Sequence, residues 1–307
     1  MQSRDLSDFV IAREAWNSQA KINTHTRLDG IKGILSKLSD EEIRSVKNGV
    51  FGHLLEIENS AFPGKIVHQL LLRQCHAAKT NELAFNFNGQ IAKFGIREFA
   101  ICSGLLCKHN DDTDDIEATP QVTIVEKFFN YKTASVNSLL TVFNSSLSAT
   151  SEEKVKLANL CILYTQILPC QHSMSCDPKY LELADYPDRF AKYPWGLESF
   201  KKLLETMKKH RTLKTGKLQA YDAGGFVHAL VVWAYETIPL LLEKGFATKL
   251  RTIKLPRILR WNFNLTPSFF NLSEEVFDNP AVCFHVFLLE NICFKLGLYL
   301  IYDGLCC

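Results

Sequence analysis

Two short runs of the sequence combine cysteine and histidine at spacings that resemble those of zinc ligands. They read Cys-x4-Cys-x-His and Cys-x-His-x3-Cys, and are formed by Cys102, Cys107 and His109 and by Cys170, His172 and Cys176. A structural zinc ion takes four Cys or His ligands at close spacing, and neither run supplies a local fourth. A shared site would need both runs to meet, whereas buried free thiols explain the cysteines equally well. We therefore expect no metal and no other cofactor.

Cys75 is the cysteine that comes nearest to a nucleophile by its surroundings. Gln69 precedes it by six residues, as an oxyanion-hole glutamine precedes the nucleophile of some cysteine proteases. A reactive thiol needs a base in an arranged site, but Cys75 ends an apolar segment without the usual preceding glycine. The sequence motifs of serine hydrolases, zincins, P-loop proteins and dinucleotide-binding proteins are also absent. We expect no catalytic residue and no enzyme activity.

Positive charge is concentrated in two segments, although the whole chain carries a net charge of only +2. The basic residues of segment 201–217 are Lys201, Lys202, Lys208, Lys209, Arg211, Lys214 and Lys217, and those of segment 249–260 are Lys249, Arg251, Lys254, Arg257 and Arg260. Together they could bind phosphate groups or an acidic protein, and residues 208–211 could serve nuclear import. A solvated helix face with a loop is the alternative interpretation. Few aromatic residues accompany the first segment, so stacking of single-stranded bases is not indicated.

The composition is typical of a folded protein that stays inside the cell. The chain has 307 residues, of which 47% are hydrophobic, enough for a large core. Ten cysteines are too few for a disulfide scaffold of this length, and charges interrupt the N-terminus where a secretory signal would be apolar. The apolar stretch 281–302 contains Glu290 and Lys295, which argue against a membrane anchor. We expect an intracellular protein, with the nucleus favoured over the cytoplasm.

Local patterns predict a mainly helical α+β protein, a multi-helix globular domain with one small β-hairpin near residues 83–95. Apolar residues alternate from 83 to 94 around Asn88-Gly89, the strongest short-range sign of a hairpin. Two capping boxes, in which Ser or Thr is followed three residues later by Glu, predict helix starts. They are Ser39 with Glu42 and Thr150 with Glu153.

Further helices are expected over residues 97–102, from Thr150 to Ile167, and from Trp195 onward. Pro169 and Pro239 should stop or divide helices, because proline lacks the N–H that a helix interior needs. Five acids within residues 111–117 predict an exposed loop.

Several large side chains are expected to form the core. The aromatic residues assigned to it are Phe85, Phe99, Trp195, Phe226 and Trp233. Arg97 and Glu98 lie in an otherwise apolar segment, where they could form a partly buried ion pair that fixes the hairpin against the helices; a contact with a ligand is the alternative.

The order of several short segments resembles one plant family. In the first half they are Phe51–Leu55, Leu70–Gln74, Glu82–Phe85, Phe94–Phe99 and Gly104–Cys107. In the second half they are Tyr193–Gly196, Gly225–Phe226, Ala229–Pro239 and Pro256–Trp261. In this order they resemble the plant domain of unknown function 1985 over about residues 25–262.

The resemblance implies three regions: an N-terminal segment over 1–24, the helical domain over 25–262, and an atypical C-terminal tail over 263–307. In that family the domain often precedes a cysteine protease similar to those that remove ubiquitin-like modifiers, in proteins derived from mobile elements. No protease His, Asp and Cys set follows Pro280 here. The leading hypothesis is therefore a non-catalytic interaction domain with an unknown protein partner. The alternatives are nucleic-acid binding through 201–217 and 249–260, an accessory fragment of such a protease, and a tail-anchored membrane protein.

Overall fold

In the part of the chain that the structure describes, the fold consists of α-helices and three small sheets. The computed structural model describes residues 9–13, 16, 21–24, 26, 29–57, 62–108, 122–130, 133–145, 148–209, 220–252, 255–263 and 267–285. The predominance of helix within these residues confirms the predicted mainly helical α+β class.

The α-helices in chain order are α1 (Asp29–Leu35), α2 (Asp40–Lys47), α3 (Gly64–Leu72), α4 (Ile96–Ser103), α5 (Ile124–Phe129), α6 (Val136–Ser145), α7 (Ser151–Ile162), α8 (Pro178–Leu183), α9 (Pro187–Lys192), α10 (Trp195–Lys209), α11 (His228–Thr237), α12 (Pro239–Glu243) and α13 (Phe269–Leu272). The strands are β1 (Lys21–Thr24), β2 (Gln74–Cys75), β3 (Leu83–Phe87), β4 (Gln90–Phe94), β5 (Ala220–Ala223), β6 (Thr248–Lys249) and β7 (Trp261–Asn262).

The two predicted capping boxes begin α2 and α7. In the first, Ser39 N donates to Glu42 Oε2 at 2.8 Å and Glu42 N donates to Ser39 Oγ at 3.3 Å. In the second, Thr150 N donates to Glu153 Oε2 at 2.7 Å and Glu153 N donates to Thr150 Oγ1 at 3.3 Å. Each box satisfies two N–H groups that have no partner within the helix, which explains why both helices begin there.

The predicted hairpin is confirmed as β3 and β4, paired antiparallel with Phe87 opposite Gln90. Asn88 and Gly89 form its turn with φ angles of 50° and 88°. Positive φ at both positions is what a type I′ turn requires, and Asn and Gly adopt it most readily. A third strand, β2, pairs with β3 through Gln74 opposite Phe85.

Two further strand pairs lie outside the predicted hairpin. β1 pairs parallel with β5, placing Ile22 beside Tyr221, and β6 pairs antiparallel with β7. These strands have two to four residues. Strands of this length are too short for apolar alternation to reveal them in the sequence.

Prolines end or divide helices as expected, with one difference in the helix that begins at Thr150. Pro239 begins α12, so α11 ends at Thr237. The helix that opens at Thr150 is α-helical only to Ile162, and continues as a π-helical turn over Leu163–Ile167. Gly225 has a φ of +67°, and a Cβ there would lie 2.2 Å from Ser199 O. Only glycine allows the backbone at residue 225 to lie so close to the backbone of α10, because it has no Cβ.

The structure buries all five aromatic residues assigned to the core: Phe85, Phe99, Trp195, Phe226 and Trp233. Trp233, on α11, packs between the hairpin strands' Phe85 and Phe94, with ring centroids 5.3 and 5.5 Å away. The core therefore joins the sheet to the central helix.

The expected pair between Arg97 and Glu98 is wrong. Arg97 is exposed, and Glu98 Oε2 accepts from Gly95 N at 2.8 Å at the start of α4. Consecutive residues of a helix do not face each other, so Glu98 caps its own helix instead.

Residues 267–285 pack against the same core as the earlier helices. Gln69 Nε2 donates to Phe269 O at 3.1 Å, and Arg73 Nε donates to Phe277 O at 3.2 Å. Arg73 also pairs with Asp278. The domain boundaries at 25 and 262 stay predictions.

No helix in the described ranges is long and apolar enough to cross a membrane. The apolar stretch 281–302 lies outside those ranges beyond residue 285, and the acidic run 111–117 lies wholly outside them.

Candidate functional site

A cleft of about 400 Å³ lies between α2, α7 and the α8–α9 segment. Its apolar walls are formed by Gly49, Val50, Val155, Ala184, Pro187, Phe190 and Ala191. Its polar lining consists of Glu41, Glu42, Ser45, Ser151, Glu152, Lys156 and Asn159. The volume falls within the range of ligand pockets, roughly 300–1,000 Å³.

Glu42 joins two walls of the cleft. Its Oε2 accepts from Ser39 N in the capping box, while its Oε1 accepts from Ser151 Oγ at 2.8 Å, across from α2 to the first turn of α7. The hydrogen bond from Ser39 N is the main cause that lowers the pKa of Glu42. Glu42 is therefore a fixed, ionised carboxylate rather than a proton donor.

The rim of the cleft carries a net negative charge. Glu41 is exposed, and Glu152 is exposed over 73% of its side chain. Lys156 Nζ lies 2.7 Å from Glu152 Oε1, one turn along α7. Three carboxylates and one ammonium group line the cleft, a net charge of −2.

Asn159, on α7, lines the cleft with a side chain that is only partly buried. Its Oδ1 is out of solvent and accepts no hydrogen bond. A buried amide oxygen without a donor is unfavourable by about 1–3 kcal/mol relative to a bonded one. Nothing in the local sequence around Asn159 indicated this, because three separate segments create its environment.

The two cysteine and histidine runs do not form a metal site within the described residues. No three Cys, His, Asp or Glu side chains among them are placed to hold a metal ion, and His109 lies outside them. The second run instead anchors the start of α6 by its backbone. Asn137 N donates to His172 O at 2.8 Å, and Cys176 N donates to Ala134 O at 2.7 Å.

The cysteine thiols of these runs are held neutral by burial. Desolvation raises the pKa of Cys107 and of Cys176 to about 12 in each case, and raises that of Cys102 well above its usual value. The thiolate is the nucleophile and metal ligand, so such thiols are inert near neutral pH.

Cys75 and Gln69 both have structural positions. Cys75 is buried in β2, opposite Ala84. The Gln69 amide donates to Phe269 O, and its Oε1 accepts from Arg73 Nη1 at 2.5 Å. Gln69 thus uses the nitrogen and the oxygen of its side-chain amide to hold α13 and Arg73 in place.

The described part of the first basic segment lies on α10. Lys201 pairs with Glu198 and Lys202 with Glu205, each at 2.9 Å, and both lysines are exposed. Lys208 Nζ donates to Thr80 O, and Lys209 ends the helix. Arg211, Lys214 and Lys217 lie outside the described residues.

In the second basic segment, two arginines share one carboxylate. Arg257 and Arg260 bind Glu236 of α11, with N–O distances of 3.3 and 3.0 Å and side chains 9% and 15% exposed. Trp261 Nε1 also donates to Glu236 at 2.9 Å. Sequence reasoning missed Glu236, although a single carboxylate in an apolar helix was the available signal.

The remaining residues of that segment divide between exposed and undescribed positions. Lys249 is exposed in β6. Arg251 Nη1 lies 3.6 Å from Glu56 Oε2, and both of these side chains are partly exposed. Lys254 lies outside the described residues.

Comparison with known protein families finds a match for the central part of the chain. Residues 71–206 match the sequence profile of a family described as a domain of unknown function (DUF1985). Over this segment the chain is similar to the DUF1985 family. No curated protein and no solved structure matches it.

The cleft lies partly within the matched DUF1985 segment. That segment runs from α3 to α10 and so supplies α7, α8 and α9, two of the three walls. The third wall, α2, precedes it. The DUF1985 match therefore includes Asn159, Glu152 and Phe190, but neither Glu41 nor Glu42.

Proposed function

We propose that the chain is a non-catalytic interaction domain whose binding site is the cleft between α2, α7 and α9. The observation that carries this is the cleft: an apolar hollow with a charged rim, open to a partner and lined by no histidine or cysteine. Of its titratable groups, Glu42 is bonded on both oxygens and Glu152 is paired with Lys156. Such a lining suits recognition better than proton transfer.

The environment of the reactive residue types supports the same proposal. Burial raises the pKa of five thiols, those of Cys102, Cys107, Cys161, Cys170 and Cys176. Burial also lowers the pKa of His228 to about 3, so its imidazole is neutral and enclosed. A thiol and a base prepared for catalysis would show the opposite arrangement, a stabilised thiolate beside an accessible imidazole.

On the family resemblance, we further propose that the protein derives from a plant mobile element and works inside the cell, in the nucleus. An accessory role beside a protease for ubiquitin-like modifiers is compatible with an interaction domain. In that case any peptidase activity would belong to a separate protease domain, and this chain would position it or its substrate.

The non-catalytic role is tested by incubating the purified chain with a ubiquitin-like modifier fused to a fluorescent protein. We expect no release of the fluorescent protein above the buffer rate. Release that thiol alkylation abolishes would overturn the proposal. The fold of the treated chain is checked by circular dichroism before the comparison.

Nucleic-acid binding is the second candidate, favoured by the exposed Lys201 and Lys202 on α10. Their partners Glu198 and Glu205, and the pairing of Arg257 and Arg260 with Glu236, weaken a continuous positive face. Retention of labelled DNA and RNA at about 50 and 200 mM salt decides the matter, because phosphate contacts make affinity fall steeply with salt. Loss of retention in Lys201→Gln/Lys202→Gln, but not in a Lys32→Gln/Lys37→Gln control, would establish this function instead.

The tail-anchored alternative stays a hypothesis about residues 281–307. It requires that the full chain partitions with membranes and that deletion of 281–307 abolishes the partitioning. A chain that stays in the aqueous phase would remove it.

A further inference from the structure

The shape of the cleft favours an inserted side chain. Val50, Val155 and Phe190 line its walls, and its volume of about 400 Å³ can admit a large apolar group with part of the adjoining backbone. Binding energy in protein interfaces concentrates where an aromatic or aliphatic anchor fills such a hollow and excludes water. The cleft is therefore suited to one apolar anchor of a partner.

The charge of the rim specifies the neighbours of that anchor. Glu41 makes no ion pair with any residue in the described ranges, and its carboxylate is exposed. Glu152 is paired with Lys156, but its own side chain is 73% exposed, so a cation of a partner can reach its carboxylate from solvent. With a net charge of −2, the lining attracts cations and repels phosphate groups and acidic segments.

The amide of Asn159 offers a third point of recognition. Its Oδ1 accepts no hydrogen bond, and the terminal torsion of Asn is broad enough to turn this oxygen toward the cleft. A peptide brings backbone N–H donors with it, which a purely apolar ligand does not.

We propose that the cleft binds a peptide segment of a partner protein in which one apolar side chain, inserted between α2, α7 and α9, is flanked by Lys or Arg held by Glu41 and Glu152. This deepens the proposed interaction function and rests on it. An anionic partner, whether nucleic acid or an acidic protein, is disfavoured at this cleft by the same charges.

Three pools of fluorescent heptapeptides serve as probes, each with Leu, Met or Phe at the centre. The two flanking positions carry Lys or Arg in the first pool, Gln in the second and Glu in the third. Fluorescence polarisation with the full chain should show binding in the order Lys/Arg, Gln, Glu. Raising the salt concentration should reduce the difference between pools, because the added contacts are exposed ion pairs.

Two sets of variants locate the binding. Glu41→Gln/Glu152→Gln should weaken binding of the Lys/Arg pool about five- to tenfold and leave that of the Gln pool unchanged. The matched control Glu205→Gln/Glu243→Gln changes the net charge equally on α10 and α12, and should leave all pools unchanged. Val155→Arg should abolish binding by filling the cleft. Ala191→Trp, at an exposed lining position, repeats that test without altering the buried core.

The outcomes separate this inference from the proposed function. Binding that Ala191→Trp or Val155→Arg blocks, but that is equal for all three pools, would overturn the cationic specificity and leave the interaction site in place. Binding that neither variant changes would overturn both the peptide inference and the assignment of the cleft. Absence of binding to any pool would overturn the inference alone, since the peptidase assay decides the non-catalytic role separately.

Discussion

His228 should make the stability of the protein fall as the pH falls, and His228→Phe should remove that dependence. The imidazole is completely buried at the start of α11, among Phe62, Phe226 and Phe263, with ring centroids 5.3–5.8 Å away. Neither ring nitrogen has a hydrogen-bond partner. Protonation would place an unpaired charge in this aromatic surrounding, which is why burial lowers the pKa of His228 to about 3.

The direction and size of this pH dependence follow from the pKa of His228 in the folded and in the unfolded chain. An unfolded histidine has a pKa of 6.5, so between pH 6.5 and about 3 the unfolded chain binds a proton that the folded chain does not. The stability contributed by a neutral His228 is complete above pH 6.5 and is lost as the pH falls toward 3. Each pKa unit corresponds to about 1.4 kcal/mol, so the loss reaches about 3 kcal/mol at pH 4.5.

The assay is chemical unfolding of wild type and His228→Phe at pH 7.5 and pH 4.5, followed by tryptophan fluorescence. At pH 7.5 the free energy of unfolding of the variant should lie between that of the wild type and a value about 1 kcal/mol higher, because two unbonded ring nitrogens are removed. At pH 4.5 its advantage should grow by about 3 kcal/mol. Carboxylates such as Glu42 and Glu153, whose pKa values are lowered in the fold, also weaken stability in acid, but they do so equally in both proteins.

A surface substitution, His172→Gln, is the matched control, and should change stability by no more than about 0.5 kcal/mol at pH 7.5. If wild type and His228→Phe lose the same free energy of unfolding between pH 7.5 and 4.5, His228 is not enclosed as a neutral imidazole. The packing of Phe62 and Phe263 around it would then be incorrect.

Three further substitutions test the core, the buried charge cluster and a helix start. Trp233→Ala should cost about 3–5 kcal/mol in the free energy of unfolding and reduce soluble yield, because a fully buried indole is removed; a normal melting temperature would show that the hairpin does not pack on α11. Glu236→Gln should cost about 2–4 kcal/mol, since it leaves Arg257 and Arg260 without their shared carboxylate; denaturant midpoints check this, with Glu243→Gln as the exposed control, and equal midpoints would contradict the pairing. Thr150→Ala should cost about 1 kcal/mol through loss of the α7 cap, whereas Thr150→Ser should restore most of it; if both variants match the wild type in thermal melts, the cap contributes nothing.

The local structure was predictable because its causes lie within a few residues. Ser39 and Glu42 specify the start of α2 by bonding to each other's backbone, and Asn88-Gly89 specifies a turn by its tolerance of positive φ. The family resemblance was equally a property of the sequence, and the profile match over 71–206 supports it. None of these features depends on the tertiary packing of segments that are distant in the sequence.

The candidate site was not predictable in this way. The cleft exists only because α2, α7 and α9 meet, and no sequence pattern relates Glu41 to Phe190. In the basic segment 249–260, the sequence does not indicate that Glu236 of α11 pairs with Arg257 and Arg260.

The sequence by itself determined the helices, the hairpin and the identity of the large core residues, since propensity, capping and turn chemistry act over short distances. Only the tertiary structure decided which charges are paired, which thiols are buried and which residues line the cleft. Those properties depend on burial and on neighbours far along the chain, such as β1 and β5, which pair although about 200 residues separate them. Desolvation and packing between distant segments decide the charge state and the reactivity of a side chain, which its residue type alone does not fix.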